Sequence, residues 1–313
     1  MCARPRVGLL HNPTTSALLA HAGALVEHVS AMPERLWFDF GAEAPRGRRF
    51  HRAHAAIDEL KAALDGPPAR SFAGHGLGLS LPSAMPLDDD MVDAVAAMTR
   101  RLGGCAWYSE HLNLFLTPKG GVPNAQAGLG LPVVYDEESF ALIAAKLQRL
   151  RDAVGCRLLL ENGSFFTPVP DLDLSEPEFL NRLHRQGHCG TLLDLHNLLV
   201  NERNGGTPMA DYVAELDLDA VEEVHLAGGD DEEGFYMDSH STPTPEVVWE
   251  LAFDVLPRCR RLRAITFEYQ ESYFEDIGLA ALTRELERMH VLAEACAGDE
   301  ARESAHAETA DAR

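Results

Sequence analysis

Eight short apolar segments recur along the chain, and amphipathic stretches separate them. The clearest amphipathic stretches are Asp88–Leu102, Asp136–Val154 and Glu176–Gln186, where apolar residues return with helical spacing. Strand followed by helix, eight times over, predicts a parallel sheet closed into a single (β/α)8 TIM barrel of class α/β. The predicted strands are Val7–Leu10, Val26–Ala31, Ser71–Leu77, Ala106–His111, Arg157–Asn162, Gly190–His196, Glu223–Leu226 and Ala264–Tyr269.

A doubly wound open sheet is the rival architecture for this pattern. That fold needs a glycine-rich phosphate-binding turn after its first strand, and here the turn reads His11-Asn12-Pro13-Thr14. The chain has 313 residues, a length at which one barrel needs no second domain. We therefore expect one barrel domain over residues 1–296. The remainder, 297–313, is polar, rich in small residues and aperiodic, and is predicted to be a disordered tail.

The charge balance limits the partners of the protein. The net charge is -22, from 27 basic and 49 acidic side chains, and such a surface repels phosphate backbones, so nucleic acid is not expected as a partner. No run of about eighteen apolar residues occurs, which argues against a membrane span. The first residues lack the features of a secretory signal, and the six cysteines form no Cys-x-x-Cys pair. We expect a cytoplasmic protein with reduced thiols.

Acidic, amide and imidazole side chains stand at the ends of six consecutive predicted strands. Because the carboxyl ends of parallel barrel strands share one rim, these side chains are expected to converge there. Asp194 and His196 are two residues apart and would face the same side of an extended strand. The same spacing recurs at Asp238 and His240, in the loop after the seventh strand. The strand-end candidates are His75, His111, Glu161, Asn162, Asp194, His196, His225 and Glu268.

Bound cations are the interpretation we favour for this set. Carboxylates that follow apolar runs such as Leu158–Leu160 would carry a large desolvation cost unless paired, and Lys and Arg are absent from the ends of strands four to eight. Imidazole and carboxylate ligands without thiolate allow Fe, Mn, Zn or Co. The ligands outnumber what one ion can use, and a carboxylate such as Glu161 can bridge two ions, so the sequence predicts a multinuclear centre.

Seven motifs in order resemble a known family: GHGLGLSL, SEHL, LLLEN, LLDLHNLLVN, EVHLAGG, DSH and FEY. This combination is similar to the DUF692 family of multinuclear non-heme iron-dependent oxidative enzymes, which includes the methanobactin-biosynthesis oxidase and the thiaglutamate-pathway enzyme. The resemblance runs from about Val7 to about His290, nearly the whole predicted barrel. Where members often carry an acid followed by Trp and Asp, this chain has Phe267-Glu268-Tyr269.

The resemblance implies a TIM barrel with two or three irons of mixed Fe(II) and Fe(III) state and O2 as cosubstrate. Carried over by motif, His75 and His111 would bind one iron, and Glu161 would bridge to a second. The ligands of the second ion would be completed by Asp194, His225 and Glu268. A third site would be formed by Asp238 and His240, together with Asn162 or His196.

Known members of the family oxidise residues, often Cys, of ribosomally made precursor peptides. Many act with a small, separately encoded protein that recognises the leader peptide, and the same kind of partner is expected here. Two other classes of function stay open on the residues alone. One is a divalent-metal isomerase or phosphodiesterase that uses Zn, Mn or Mg on a similar barrel. The other is a non-catalytic metal-binding scaffold in a peptide-maturation complex.

Overall fold

A computed structural model describes residues 3–41, 43–45, 48–119, 122–167 and 172–297 of the chain. Its central feature is a closed sheet of eight strands, numbered here β1 to β8 in chain order. Their bounds lie within two residues of the predicted segments. The strands are β1 Arg6–Leu10, β2 His28–Ala31, β3 Ser71–Gly76, β4 Trp107–His111, β5 Arg157–Glu161, β6 Gly190–Asp194, β7 Val221–Leu226 and β8 Ala264–Phe267.

Every strand of the barrel pairs in parallel with the next one along the chain, and β8 closes the ring against β1. The register sets residues at the strand ends side by side. His111 on β4 pairs with Glu161 on β5, and Asp194 on β6 pairs with His225 on β7. The predicted single (β/α)8 barrel is confirmed, and its carboxyl ends form one rim.

The interior of the barrel changes from apolar to polar along its axis. Side chains two apart on a strand face the same side, so Trp107, Ser109 and His111 all belong to one face of β4. At the amino-terminal end the interior is closed by a small apolar cluster of buried residues, Ala73, Trp107, Leu159, Leu192 and Ala264. Toward the carboxyl ends the buried side chains become His, Asp and Glu. The floor of the barrel is therefore largely apolar, with the buried polar side chains of Glu223 and His28 beside Trp107, and the candidate ligands lie toward the rim.

Ten α-helices surround the sheet within the described residues, and their apolar faces form the main core against the outer side of the strands. Several begin at side-chain caps: Asp88 accepts a hydrogen bond from Met91 N, and Asp136 accepts one from Ser139 N. The helices are α1 Thr15–Ala22, α2 His54–Asp65, α3 Asp89–Arg101, α4 Glu137–Val154, α5 Glu176–Arg185, α6 Leu195–Arg203, α7 Met209–Glu215, α8 Glu246–Val255, α9 Phe274–Ile277 and α10 Leu279–Cys296.

In the described part of the chain, three short antiparallel hairpins follow barrel strands, on the side of the barrel where the ligands were predicted. One follows β2 (Trp37–Asp39 with Phe50–Arg52), one follows β4 (Leu114–Lys119 with Val122–Leu131), and one follows β7 (Asp230–Glu232 with Phe235–Met237). The hairpin after β4 lies in a segment rich in Gly and Pro. Its backbone pairs despite those residues, with register shifts on both sides of Leu116 and Thr117.

The prediction for the sixth strand is wrong at its carboxyl end, because the predicted strand extends two residues too far. Strand β6 ends at Asp194 and helix α6 begins at Leu195, so His196 lies in the first helical turn rather than on an extended strand. The reason is local: the Asp194 side chain accepts a hydrogen bond from Asn197 N and caps the helix. The spacing of two that linked Asp194 and His196 therefore does not place them on one face of a strand.

Helix α10 ends the described part of the chain, and the predicted polar tail beyond Ala297 lies outside the described residues. Within the residues that the structure describes, no helix has the length and apolar character required to cross a bilayer.

Close packing between β3 and β4 generates a first prediction. A Cβ built on Gly74 would lie 2.5 Å from Cδ2 of the fully buried Tyr108, so Gly74→Ala forces ring and backbone apart. We expect a loss of about 1–3 kcal/mol in the free energy of unfolding, measured by urea denaturation. Gly23→Ala is the control, because its Cβ would lie 3.3 Å from Nη2 of Arg70 and 3.7 Å from Cβ of Leu19, with no contact under 3.0 Å. Equal stability of the two variants would contradict the packing argument.

Candidate metal centre

Nine of the ten predicted ligands converge at the carboxyl-terminal rim of the barrel. They form four overlapping groups, and within each group one ligand atom per residue lies within 4.8 Å of the others. Glu161 and His225 belong to two groups each, as does His75. The groups are His75, His111 and Glu161; Glu161, Asp194 and His225; His75, His225 and Glu268; and His196, Asp238 and His240.

The tautomers of His75 and His111 are fixed by acceptors behind the rings. Nδ1 of His111 lies 2.8 Å from the carbonyl oxygen of Gly76, which can only accept, so Nδ1 carries the proton. Nδ1 of His75 lies 2.8 Å from Ser109 Oγ, whose own hydrogen is donated to the carbonyl of Gly74. Both rings therefore present the lone pair of Nε2 to the centre, as metal-bound histidines do.

Glu161 stands between three histidines. Its Oε2 lies 3.1 Å from Nε2 of His111 and 3.5 Å from Nε2 of His75, while its Oε1 lies 3.7 Å from Nδ1 of His225. One carboxylate oxygen thus faces the His75–His111 pair and the other faces β7. This is the arrangement required of a carboxylate that bridges two ions.

A second chain of contacts runs through Glu268 and Asp238. Oε1 of Glu268 lies 2.8 Å from Nδ1 of His225, and Oε2 lies 3.4 Å from Nδ1 of His240. Oδ1 of Asp238 lies 2.9 Å from Nε2 of His240 and 3.0 Å from Nδ1 of His196. The backbone of His240 has φ +51, a left-handed conformation that is uncommon outside glycine and marks a site held by its surroundings.

Asn162 is the one predicted ligand that the geometry assigns to another role. Its Nδ2 donates to the carbonyl of Asp194 at 3.0 Å, and its Oδ1 accepts from Asp194 N at 2.8 Å. Both polar atoms therefore hold the backbone at the end of β6. Of the two alternatives for a third site, Asn162 or His196, the geometry places His196 beside Asp238 and His240.

The donor atoms of this cluster fit a bound cation. Oε2 of Glu161, Oε1 of Glu268 and Nδ1 of His225 are buried without a hydrogen-bond partner among the described residues. In the part of the chain that the structure describes, Glu161, Asp238 and Glu268 form ion pairs with histidines and none with Lys or Arg. Asp194, the fourth carboxylate, accepts a hydrogen bond from Asn197 N. Buried carboxylates without fixed cations require another counter-charge, and metal ions supply it.

The pKa values of these groups are displaced in opposite directions. Burial raises the pKa of Glu161 well above its usual range and that of Asp194 to about 6, with neighbouring carboxylates adding to the shift. Burial lowers the pKa of His75 and so favours its neutral form. Burial also opposes the charge on His225 and His240, but facing carboxylates prevail, raising the pKa of His225 well above its usual range and that of His240 to about 10. Protons on these two rings provide the positive charge that metal ions would replace.

Sequence reasoning missed several side chains that hold the ligands in place. Ser164 Oγ donates to Oδ2 of Asp238 at 3.1 Å, and the hydroxyl of Tyr236 lies 3.4 Å from Nε2 of His196. Ser109 Oγ lies 2.8 Å from Nδ1 of His75 and supports that ring. Arg35 makes a salt bridge of 2.9 Å with Glu271. Such contacts depend on loop conformations that no local pattern encodes.

Fold and site together define a TIM-barrel protein with a candidate multinuclear metal centre. A model of the family described as "RiPP precursor modification enzyme MbnB/TglH/ChrH" matches residues 21–294. The chain belongs to this family, whose members modify ribosomally synthesised precursor peptides, and the resemblance seen in the motifs is confirmed.

Curated relatives described as UPF0276 proteins support the assignment. One from Anaeromyxobacter sp. (strain Fw109-5) is 30% identical over 259 residues, covering 80% of this chain and 86% of the relative. One from Chromobacterium violaceum is 35% identical over 232 residues, covering 74% and 79%. A relative from Neisseria meningitidis serogroup C (strain 053442) is 34% identical over 192 residues, and the match spans 59% of this chain and 66% of the relative.

Solved structures with the same architecture include sugar-converting enzymes. A xylose isomerase domain containing protein from Salmonella typhimurium LT2 has a TM-score of 0.57 at 13% identity, with 92% of this chain and 97% of that chain covered. D-psicose 3-epimerase from Clostridium cellulolyticum H10 has a TM-score of 0.56 at 10% identity, with 94% and 100% covered. At these identities the likeness shows the barrel fold and carries nothing about activity.

Glu161→Gln tests the bridging geometry. The amide keeps the shape but removes the charge that faces three histidines, so we expect metal affinity to fall by at least about tenfold while the fold stays intact. Glu176→Gln is the control, since Glu176 is also buried but bonds to Tyr135 and to Gly163 N and belongs to none of the ligand groups. Metal content by mass spectrometry and circular dichroism are the measurements. Unchanged metal content in Glu161→Gln would contradict the assignment.

The displaced pKa values predict proton release on metal binding. His225 and His240 are protonated at neutral pH in the metal-free protein, and each must lose its proton before the nitrogen can bind a cation. Metal affinity should therefore rise with pH up to about 10, the pKa of His240, and should fall more steeply below about 6, the pKa of Asp194, as acid protonates the carboxylates as well. Calorimetric titration with Zn(II) in buffers of different ionisation enthalpy measures the protons released. A pH-independent affinity would refute this account.

Proposed function

We propose that the protein is an O2-dependent oxidase that uses two or three iron ions to modify a residue, with Cys the expected one, of a ribosomally made precursor peptide. The observation that carries the proposal is the set of overlapping ligand groups that share Glu161 and His225 at the rim of the barrel. Membership of the precursor-modification family supports the peptide as substrate class.

The donor set is compatible with iron. It consists of imidazole nitrogens and carboxylate oxygens, and no cysteine belongs to the ligand groups among the described residues. His75, His111 and Glu161 would hold one ion, Glu161, Asp194, His225 and Glu268 a second, and His196, Asp238 and His240 a third. Iron bound there would supply one-electron chemistry with O2, which neither zinc nor magnesium supports.

The exposure of the ligands shows from which side a substrate would approach. The side chains of His75, Glu161, His225 and Glu268 are at most 5% exposed, whereas those of His111, His240 and Asp238 are 20–22% exposed. A peptide thiol would therefore meet the centre on the side of His111 and His240. The buried side would exclude water from the bridging carboxylate.

Surface features on the same end of the barrel support a role for a protein partner. Phe38 and Phe40 are 62% and 66% exposed on the hairpin that follows β2, and Arg52 of that hairpin is exposed as well. Exposed aromatic side chains of this kind mark interaction sites. We propose that a separately encoded protein presents the leader of the precursor peptide on this side.

The metal-dependent isomerase is the main rival function, since its barrel architecture is shared. An isomerase or phosphodiesterase consumes no oxygen and needs no iron, so the two classes separate cleanly in one assay. A non-catalytic scaffold would bind the peptide and leave its mass unchanged.

Oxygen uptake with a candidate precursor peptide is the direct test. Protein reconstituted anaerobically with Fe(II) should consume O2 on addition of peptide and change the mass of the peptide, and zinc-loaded protein should do neither. Candidate peptides come from short reading frames that neighbour the gene. His240→Ala, which removes an exposed ligand, should lower turnover by at least about a hundredfold. Turnover of the peptide by zinc-loaded protein without O2 uptake would overturn the oxidase proposal.

A further inference from the structure

One buried carboxylate in the barrel interior is not a member of any ligand group. Glu223 lies on β7 two residues before His225, so both side chains face inward, one above the other along the barrel axis. Its solvent exposure is zero, and its register partners are Leu192 on β6 and Ala264 on β8, so it lies level with the apolar floor and below His225. A buried carboxylate in that layer has a cost that its surroundings must offset.

Several donors converge on this carboxylate. Trp107 Nε1 donates to Oε2 at 2.5 Å, Thr266 Oγ1 donates to Oε1 at 2.7 Å, and Ser30 Oγ donates to Oε1 at 3.3 Å. Nε2 of His28 lies 3.6 Å from Oε1, and the His28 ring stacks on Trp107 with centroids 4.8 Å apart. These neighbours come from β2, β4 and β8, so the carboxylate is held from several sides. Hydrogen bonds from neutral donors favour its ionised form.

The same carboxylate faces the back of a candidate ligand. Nε2 of His225 lies 3.3 Å from Oε1 of Glu223, while Nδ1 of that ring lies 2.8 Å from Glu268 and 3.7 Å from Glu161. The ring therefore turns Nδ1 toward the centre and Nε2 toward Glu223. His75 and His111 do the reverse and are backed by a hydroxyl and a carbonyl. Among these three histidines, His225 alone is backed by a formal negative charge.

We propose that Glu223 is a positioning residue for the metal centre: it orients His225 so that Nδ1 is the metal-binding nitrogen, and its negative charge strengthens that nitrogen as a donor. A carboxylate behind a metal-bound histidine fixes the tautomer and raises the basicity of the ligand. The inference rests on the metal centre proposed above and adds a residue that touches neither metal nor substrate. Trp107, Thr266 and Ser30 act by keeping the carboxylate in place.

Glu223→Gln tests the proposal with Glu222→Gln as its matched control. Glu222 is the adjacent residue on β7, is also buried, and faces the outer side, where it contacts Arg157 at 2.8 Å and Arg263 at 3.6 Å. The measurements are the Zn(II) dissociation constant by chelator competition and the reduction potential of the iron-loaded protein. Neither requires peptide, O2 or turnover.

We expect Glu223→Gln to weaken Zn(II) binding by about 10–100-fold and to raise the reduction potential, because a negative charge near the metal is removed. Glu222→Gln should lower thermal stability and leave both metal readouts unchanged. If Glu223→Gln does not fold, Thr266→Val removes one donor to the carboxylate and should weaken Zn(II) binding in the same direction.

Zn(II) affinity of the Glu223 variant within twofold of the wild type would overturn the positioning role. So would equal losses of affinity in the Glu222 and Glu223 variants, since that result would trace the effect to general destabilisation. Failure of the wild-type protein to bind any transition metal would instead defeat the proposed metal centre itself. The two failures are therefore distinguishable.

Discussion

Four carboxylates lie close together at one end of the barrel, and their negative charge must be neutralised for the fold to be stable. Glu161, Asp194, Asp238 and Glu268 lie in a setting with little solvent and, among the described residues, without Lys or Arg as partners. Such a cluster is unfavourable for folding unless positive charge enters it. Protonated His225 and His240 can supply part of that charge, and bound cations can supply all of it.

The barrel makes this cluster possible through its parallel register and its largely apolar floor. The pairing of His111 with Glu161 and of Asp194 with His225 brings ligands from neighbouring strands level with one another. Below them Trp107 and its apolar neighbours close the interior and exclude water from beneath. The packing of the lower barrel and the helical shell therefore stabilises the fold. The rim holds the buried charges that the function requires.

Much of the site could be predicted from the sequence because strand periodicity and charge placement are both local signals. His75, His111, Glu161 and His225 fall on the last or next-to-last residue of their strands, where any parallel barrel would bring them together. Asp238 and His240 were predicted from their repeated spacing of two residues. The left-handed backbone of His240, with φ +51, could not be predicted from that spacing. The roles of Asn162 and Asp194 also depended on the point at which β6 becomes α6.

The inward-facing position of Glu223 could have been predicted from the sequence. The segment Val221–Leu226 carries two adjacent acids, and composition alone does not say which of them faces the barrel interior. Counting back two residues from His225 selects Glu223, since side chains of a strand alternate between its faces. What the count cannot supply is the set of partners from β2, β4 and β8, because those contacts arise only when the barrel closes.

Clustered cations bound between these side chains are the central claim. Anomalous X-ray scattering at the iron edge tests this claim most directly. Crystals of protein reconstituted with Fe(II) should show at least two iron peaks per chain, with Glu161 between them and Nδ1 of His225 bound to one. Absence of iron at the rim in such crystals, with the Glu161 and His225 side chains turned away from each other, would contradict the account.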